Sequence, residues 1–131
     1  MNLEEQQRCG SEIAAQAEAL ARAITDLQFE REPGLRERFG ERGVAKSYDD
    51  ARHTMAFLSE SVSLGSPSTF AAYVRWLDGV LLAAGLQPEV LVAHLGMLKE
   101  VAAERLSPAT ADLAALSIDQ ALAGLQGRRS Q

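Results

Sequence analysis

Gly65-Ser-Pro-Ser-Thr-Phe70-Ala-Ala-Tyr73-Val-Arg-Trp76-Leu-Asp-Gly-Val80-Leu-Leu-Ala-Ala-Gly85-Leu-Gln-Pro88 decides the fold. Pro67 takes the first helical position, where its missing N–H costs nothing, and Gly85 marks the stop, so the segment reads as one helix. Phe70, Val74, Leu77, Leu81 and Ala84 form one stripe at helical spacing, and Tyr73, Trp76, Val80 and Ala83 form a second beside it. Only Arg75 and Asp78 carry charge between residues 67 and 87, whereas 1–28 sums to −3 and 48–66 to −2. A helix apolar over most of its circumference is covered on several sides. Either it is a central bundle helix whose second stripe meets the short Pro33–Gly40 segment, or Phe70, Tyr73 and Trp76 line a pocket or docking surface, in which case Trp76 is partly exposed.

The same punctuation recurs outward. Gln87-Pro88 and Ser107-Pro108 open two further helices, and Gly65 closes the one before Pro67. Toward the N-terminus, Ser47-Tyr-Asp-Asp50 has the form of a capping box and predicts a helix to about Ser63, with Ala51, Met55, Leu58 and Val62 inward. Pro33 and Gly40 bracket a short helix with Leu35 and Phe39 inward. Ile13, Ala17, Leu20, Ile24 and Leu27 predict one long helix from about Leu3 to Gln28. The last helix runs from Pro108 to about Leu125, and residues 127–131 read as a frayed polar tail. The fold expected is all-α: a single antiparallel bundle of about five helices plus a short extra one, forming one domain over residues 1–131.

Composition agrees. Ala (22) and Leu (18) supply nearly a third of the 131 residues, and 47% of the chain is hydrophobic against 24% charged, which suits one soluble helical core. No run approaches the roughly 18 uncharged apolar residues of a membrane span, and the acidic Met1-Asn-Leu-Glu-Glu5 start does not read as a signal peptide. No membrane is expected as a partner, and the cytoplasm is the expected location. The net charge of −5 argues against nucleic acid as a partner, since phosphate binding depends on a basic surface. Cys9 is the only cysteine, so an internal disulfide and multi-cysteine zinc sites are excluded by count.

Chemistry-bearing residues are few. His94 stands on the face shared by Leu91, Leu98 and Val101, where it is either a core histidine or an axial haem ligand. His53 follows Asp49 and Asp50 by four and three residues, so it is either part of a solvated helix-start cluster or a polar site in which a carboxylate fixes its tautomer. No phosphate loop, nucleophile elbow, His-Glu-x-x-His or Cys-x-x-Cys occurs, and a non-enzymatic role is expected over a small helical enzyme using Asp49, Asp50 and His53.

The run Arg38-Phe-Gly-Glu-Arg-Gly43, then Tyr48-Asp-Asp-Ala-Arg-His53, Phe57-Leu58, and Gly65-Ser-Pro-Ser-Thr-Phe70-Ala-Ala-Tyr73-Val-Arg-Trp76 resembles the helical module found ahead of cobalamin-binding domains in bacterial regulators. The resemblance covers about residues 35–106. It implies a sensory or regulatory bundle that caps a tetrapyrrole, haem or cobalamin, or a partner signalling domain. In the light-sensing cobalamin regulators a Trp is followed after nine residues by Glu-His; here Leu86-Gln87 stand there. The Asp-x-His-x-x-Gly motif of the cobalamin domain is also missing, since Ala51 and Val92 precede the two histidines by two residues. What the resemblance then implies is at most half of a cobalamin site. Phe70, Tyr73, Trp76, His53 and His94 are the candidate ligand or partner contacts. The alternatives are a structural protein that self-associates as a homodimer through the same uncharged helix, and a globin-like haem sensor with His94 or His53 as axial ligand.

Overall fold

The computed structural model describes residues 2–129 and places them in six helices: α1 (Leu3–Ala15), α2 (Ala17–Arg31), α3 (Gly34–Leu64), α4 (Pro67–Ala83), α5 (Pro88–Arg105) and α6 (Pro108–Arg129). The fold is an all-α bundle, with no strand among the described residues. No described helix is long and apolar enough to cross a membrane.

The starts and stops written in proline and glycine hold. Pro67, Pro88 and Pro108 each begin a helix. Gly65 adopts φ 62, ψ 33, and the N–H groups of Gly65 and Ser66 donate to the carbonyls of Val62 and Ser61. Gly85, at φ 85, ends α4 in the same way, with Gly85 and Leu86 donating back to Leu82 and Leu81. Both are Schellman ends, which satisfy the otherwise orphaned carbonyls of the last turn. At the other end of the chain, the Asn2 side chain accepts the Glu5 N–H at 2.8 Å and caps α1.

Three local readings are corrected. The segment 3–28 is not one helix: Gln16, at φ −98 and ψ 4, breaks it, and the second part runs on to Arg31. No Pro or Gly lies at the break, so tertiary packing imposes it, turning the chain so that Ile13 on one side and Leu20 on the other are both fully buried. Ser47 does not open a helix. The segment 34–39 runs into α3 through a single break at Gly40 (φ 67, ψ −167), and Ser47 already lies inside the helix that resumes after it. Lys46 pairs with Asp50 at 3.1 Å one turn on, and the Arg22 guanidinium sits 4.3 Å from the Tyr48 ring centre, so these residues serve helix and packing rather than a cap. Finally, α6 continues through Gly127 to Arg129; Ser130 and Gln131 of the expected tail lie outside the described residues.

A single apolar cluster draws on every helix, with Ile13, Ile24, Leu58, Phe70, Leu98 and Ile118 all essentially inaccessible. The expected α3 stripe of Ala51, Met55, Leu58 and Val62 is buried as a unit. α3 packs on α1, α2 and α4, while α6 packs on α4 and α5. At the α1–α3 crossing the backbones nearly touch: a Cβ on Gly10 would lie 1.7 Å from Ser63 Oγ and 2.8 Å from the Ser59 carbonyl oxygen, and Ser59 Oγ donates to the Gly10 carbonyl at 2.8 Å.

On its other side α1 holds the start of α6. Glu12 accepts from the Ser107 N–H (2.7 Å), Ser107 Oγ (2.6 Å) and Thr110 Oγ1 (2.7 Å), placing a carboxylate where the helix presents free donors and a positive dipole end. Partial burial works to raise the Glu12 pKa, but the hydrogen bonds from Ser107 and Thr110 outweigh it and hold the carboxyl below its ordinary 4.5.

Two stability outcomes follow from α1. Gly10→Ala gains about 1 kcal/mol of helix propensity but forces apart two backbones, so denaturant titration is expected to show a net loss of about 1–3 kcal/mol. Gly96→Ala, in α5 with open space around its Cβ, is the matched control and is expected to be neutral or stabilising. Glu12→Gln is expected to cost about 1–2 kcal/mol at pH 7. Because the folded-state pKa is lowered, that difference is present above pH 4.5 and narrows as the pH falls through the folded value, which repeating the titration in acid checks.

Candidate functional site

The two stripes of α4 part at its first half and meet again at its second. Phe70 and Val74 of the first enter the core, while its Leu77, Leu81 and Ala84 come to the surface with the second stripe: Tyr73 is buried, but Trp76 is 63% and Val80 44% exposed. These side chains form one wall of a groove of about 1130 Å3 bounded by the end of α2, the 34–39 turn, α3, α4 and the start of α5. Leu35 and Phe39 face it from the short segment, and Val90, Ala93 and Met97 face it from α5. The second stripe of α4 therefore lies across an open groove from the short segment instead of packing on it.

Tyr73 anchors the wall. Its ring stacks on Phe57 of α3, with centroids 4.2 Å apart and planes 13° off parallel, and lies 6.1 Å from the Trp76 ring. Tyr73 Oη is 3.0 Å from Thr54 Oγ1, and Thr54 donates its own proton to the Asp50 carbonyl at 3.1 Å. A hydroxyl has one proton, so the Tyr73 O–H is the donor to Thr54. Burial raises the phenol pKa, the Asp50 charge adds to the rise and the Thr54 contact opposes it, so Tyr73 is neutral at physiological pH.

His53 lines the same groove, together with Lys46, Asp50 and Phe57, and also borders a smaller cleft of about 630 Å3 against α1 and α2, beside Glu18, Asp49 and Arg52. His94 has a different setting. It does not line the groove, although its helix neighbours Val90, Ala93 and Met97 do. Burial lowers the His94 imidazole to about 4, with the Asp50 carboxylate pulling weakly the other way, so the ring is neutral at pH 7.

Of the five residues singled out in the sequence, the groove brings together Tyr73, Trp76 and His53. Phe70 belongs to the core, and His94, half-buried on α5, does not line the groove. Phe57 and Thr54, which fix Tyr73, were not singled out as contacts. A signal for Phe57 is present: Lys46, Asp50, His53 and Phe57 recur at spacings of four, three and four, a second face of α3 beside its buried stripe; none singles out Thr54. Among the described residues no three His, Cys, Asp or Glu side chains are grouped so as to hold a metal ion.

No protein-family model, no curated protein and no solved structure matches this chain.

His94 is expected to make the bundle acid-sensitive. Its folded-state pKa lies below the ordinary 6.5, so the unfolded chain binds the proton first, and stability present above pH 6.5 is lost as the pH falls toward 4. The loss is expected to reach about 3 kcal/mol over that window. Denaturation midpoints measured from pH 7 to 4 are expected to fall less steeply in His94→Leu than in the parent chain.

Proposed function

We propose that this chain is a non-enzymatic sensory or regulatory module that holds a flat apolar ligand of the tetrapyrrole class in the aromatic groove. The observation that carries this reading is Trp76, a large ring 63% exposed beside the stacked Phe57–Tyr73 pair on the wall of a groove of about 1130 Å3. Exposed aromatic surface next to a rigid aromatic partner is costly to leave in water, and a planar ligand covers it at small entropic cost because the Tyr73 ring is already locked by stacking and by Thr54. Volume and lining suit a drug-sized or larger molecule: the walls are mainly apolar, with Lys46, Asp50 and His53 as sparse polar points. The resemblance of residues 35–106 to helical modules of bacterial cobalamin regulators supports the same ligand class, with a signalling domain as partner and the cytoplasm as site of action. His53 is the imidazole that faces the ligand; His94, neutral and half-buried, stands on α5 outside the groove lining.

Titration of the full chain with haemin and with hydroxocobalamin tests this. One of them is expected to give a stoichiometric shift of its absorbance band with quenching of Trp76, the only tryptophan. Trp76→Ala is expected to weaken that binding at least about tenfold, or about 1.4 kcal/mol, with helicity unchanged. Loss of the shifted band in His53→Ala would assign the axial contact. A flat titration with both compounds, together with an elution volume that depends on protein concentration, would overturn the ligand reading in favour of a self-associating interaction module.

A further inference from the structure

The segment bordering the groove opposite Trp76 is built unlike the rest of the bundle. From Glu30 to Asp50 no residue is buried, although nearly all of them are helical; burial stops at Phe29 in α2 and resumes at Ala51 in α3. Helix with no fully buried side chain is held mainly by its own hydrogen bonds and by surface contacts, here Arg31 with Glu100 and Arg22 over Tyr48 at the two ends of the stretch, so local opening between them is cheap. Both ends of residues 33–40 carry backbone devices that permit a swing. Pro33 and Gly34 separate them from α2, and Gly40 interrupts α3 at φ 67, ψ −167, a conformation that L side chains rarely adopt. Among the described residues, the ion pair made by residues 33–40, Arg36 with Glu41, spans the break without tying them to another helix. The segment's contact with α2 is the Arg36 guanidinium 5.8 Å from the Phe29 ring centre. Its two apolar side chains, Leu35 and Phe39, nevertheless face the groove, and Phe39 remains 44% exposed.

We infer that residues 33–40 form a hinged lid over the aromatic groove, with Gly40 as the hinge. In the position seen here the lid leaves the groove open, with Phe39 and Trp76 both wet. Inward rotation about Gly40 carries Leu35 and Phe39 toward Trp76 and Val80, and an apolar molecule between the two walls contributes the contacts that hold the lid down. Outward rotation brings 34–39 toward alignment with the rest of α3, the right-handed helical course that residues 35–39 favour. The lid controls entry and release at the groove, and to that extent the inference rests on the functional reading above.

The lid is tested without any ligand, using Trp76 as energy donor. In a Cys9→Ala background, Glu37→Cys places an acceptor dye on the lid, and Glu89→Cys places one in the first turn of α5 as the fixed control. Time-resolved transfer is expected to give a clearly broader distance distribution for the dye at 37 than for the dye at 89. Adding Gly40→Ala is expected to collapse the distribution at 37 to a single longer distance and to leave that at 89 unchanged. A Cβ at Gly40 meets nothing within 4 Å, so this substitution acts on backbone conformation and not on packing. A distribution at 37 as narrow as that at 89, and unmoved by Gly40→Ala, would overturn the lid. Failure of haemin and hydroxocobalamin to bind would overturn the functional reading and leave this result standing.

Discussion

The bundle depends on how closely α1 lies on α3. At Gly10 the two backbones approach so nearly that no side chain fits between them, and Ser59 turns the contact into a hydrogen bond to the Gly10 carbonyl. Two residues further along, about 200° around the helix, Glu12 faces the opposite way and closes the start of α6 with three hydrogen bonds. α1 is therefore a wedge between α3 and α6, the helices that carry most of the remaining contacts. With α1 fixed there, the chain has to turn at Gln16 for α2 to cover the rest of α3 and reach α5, where Arg31 and Glu100 form a paired contact at 2.8 and 3.0 Å. The buried hydroxyls follow the same economy. Ser61 donates to the Ser66 carbonyl, so Ser117 is the donor in its 3.0 Å contact with Ser61, and α3 and α6 meet without an unsatisfied polar atom.

What was legible in the sequence divides along a physical line. Helix ends set by one residue's own backbone preference, at Pro67, Pro88, Pro108, Gly65 and Gly85, read correctly because proline and glycine act locally. The Gln16 break did not read at all, since nothing in Ala-Ala-Gln-Ala prefers a turn and only the crossing at Gly10 requires one. Ser47-Tyr-Asp-Asp50 misled because a capping box is also an acceptable helix interior. Lys46 to Asp50 supports continuation, and nothing between Gly40 and Ser47 forbids it.

At the site the division is the same. The surplus of apolar residues on α4 announced a second face, and Tyr73 and Trp76 lie on it. Phe70 does not, for an angular reason. Six residues separate it from Trp76, which places the two about 120° apart around the helix, with Tyr73 midway. A face that holds both spans about a third of the circumference, with Phe70 at one edge and Trp76 at the other. Phe70 therefore turns into the core, Trp76 turns out of it, and Tyr73 at the boundary is buried while still touching both, at 6.2 and 6.1 Å. The partners of that boundary residue, Phe57 and Thr54, come from another helix, and no spacing within α4 names them.

This geometry also bears on what can occupy the groove. The exposed surface of Trp76, Val80 and Phe39 is apolar enough to attract a second copy of the chain, but each copy carries a net charge of −5. Screening limits that repulsion to about 8 Å at physiological ionic strength, so it acts only when the surfaces are nearly in contact. A groove walled on both sides is also concave, and two concave surfaces do not fill one another. A planar ligand of the proposed class would lie between the walls, with Trp76 on one side and Phe39 on the other. On the reading proposed above, the shape of the groove, more than its hydrophobicity, favours such a ligand over a second copy of the chain.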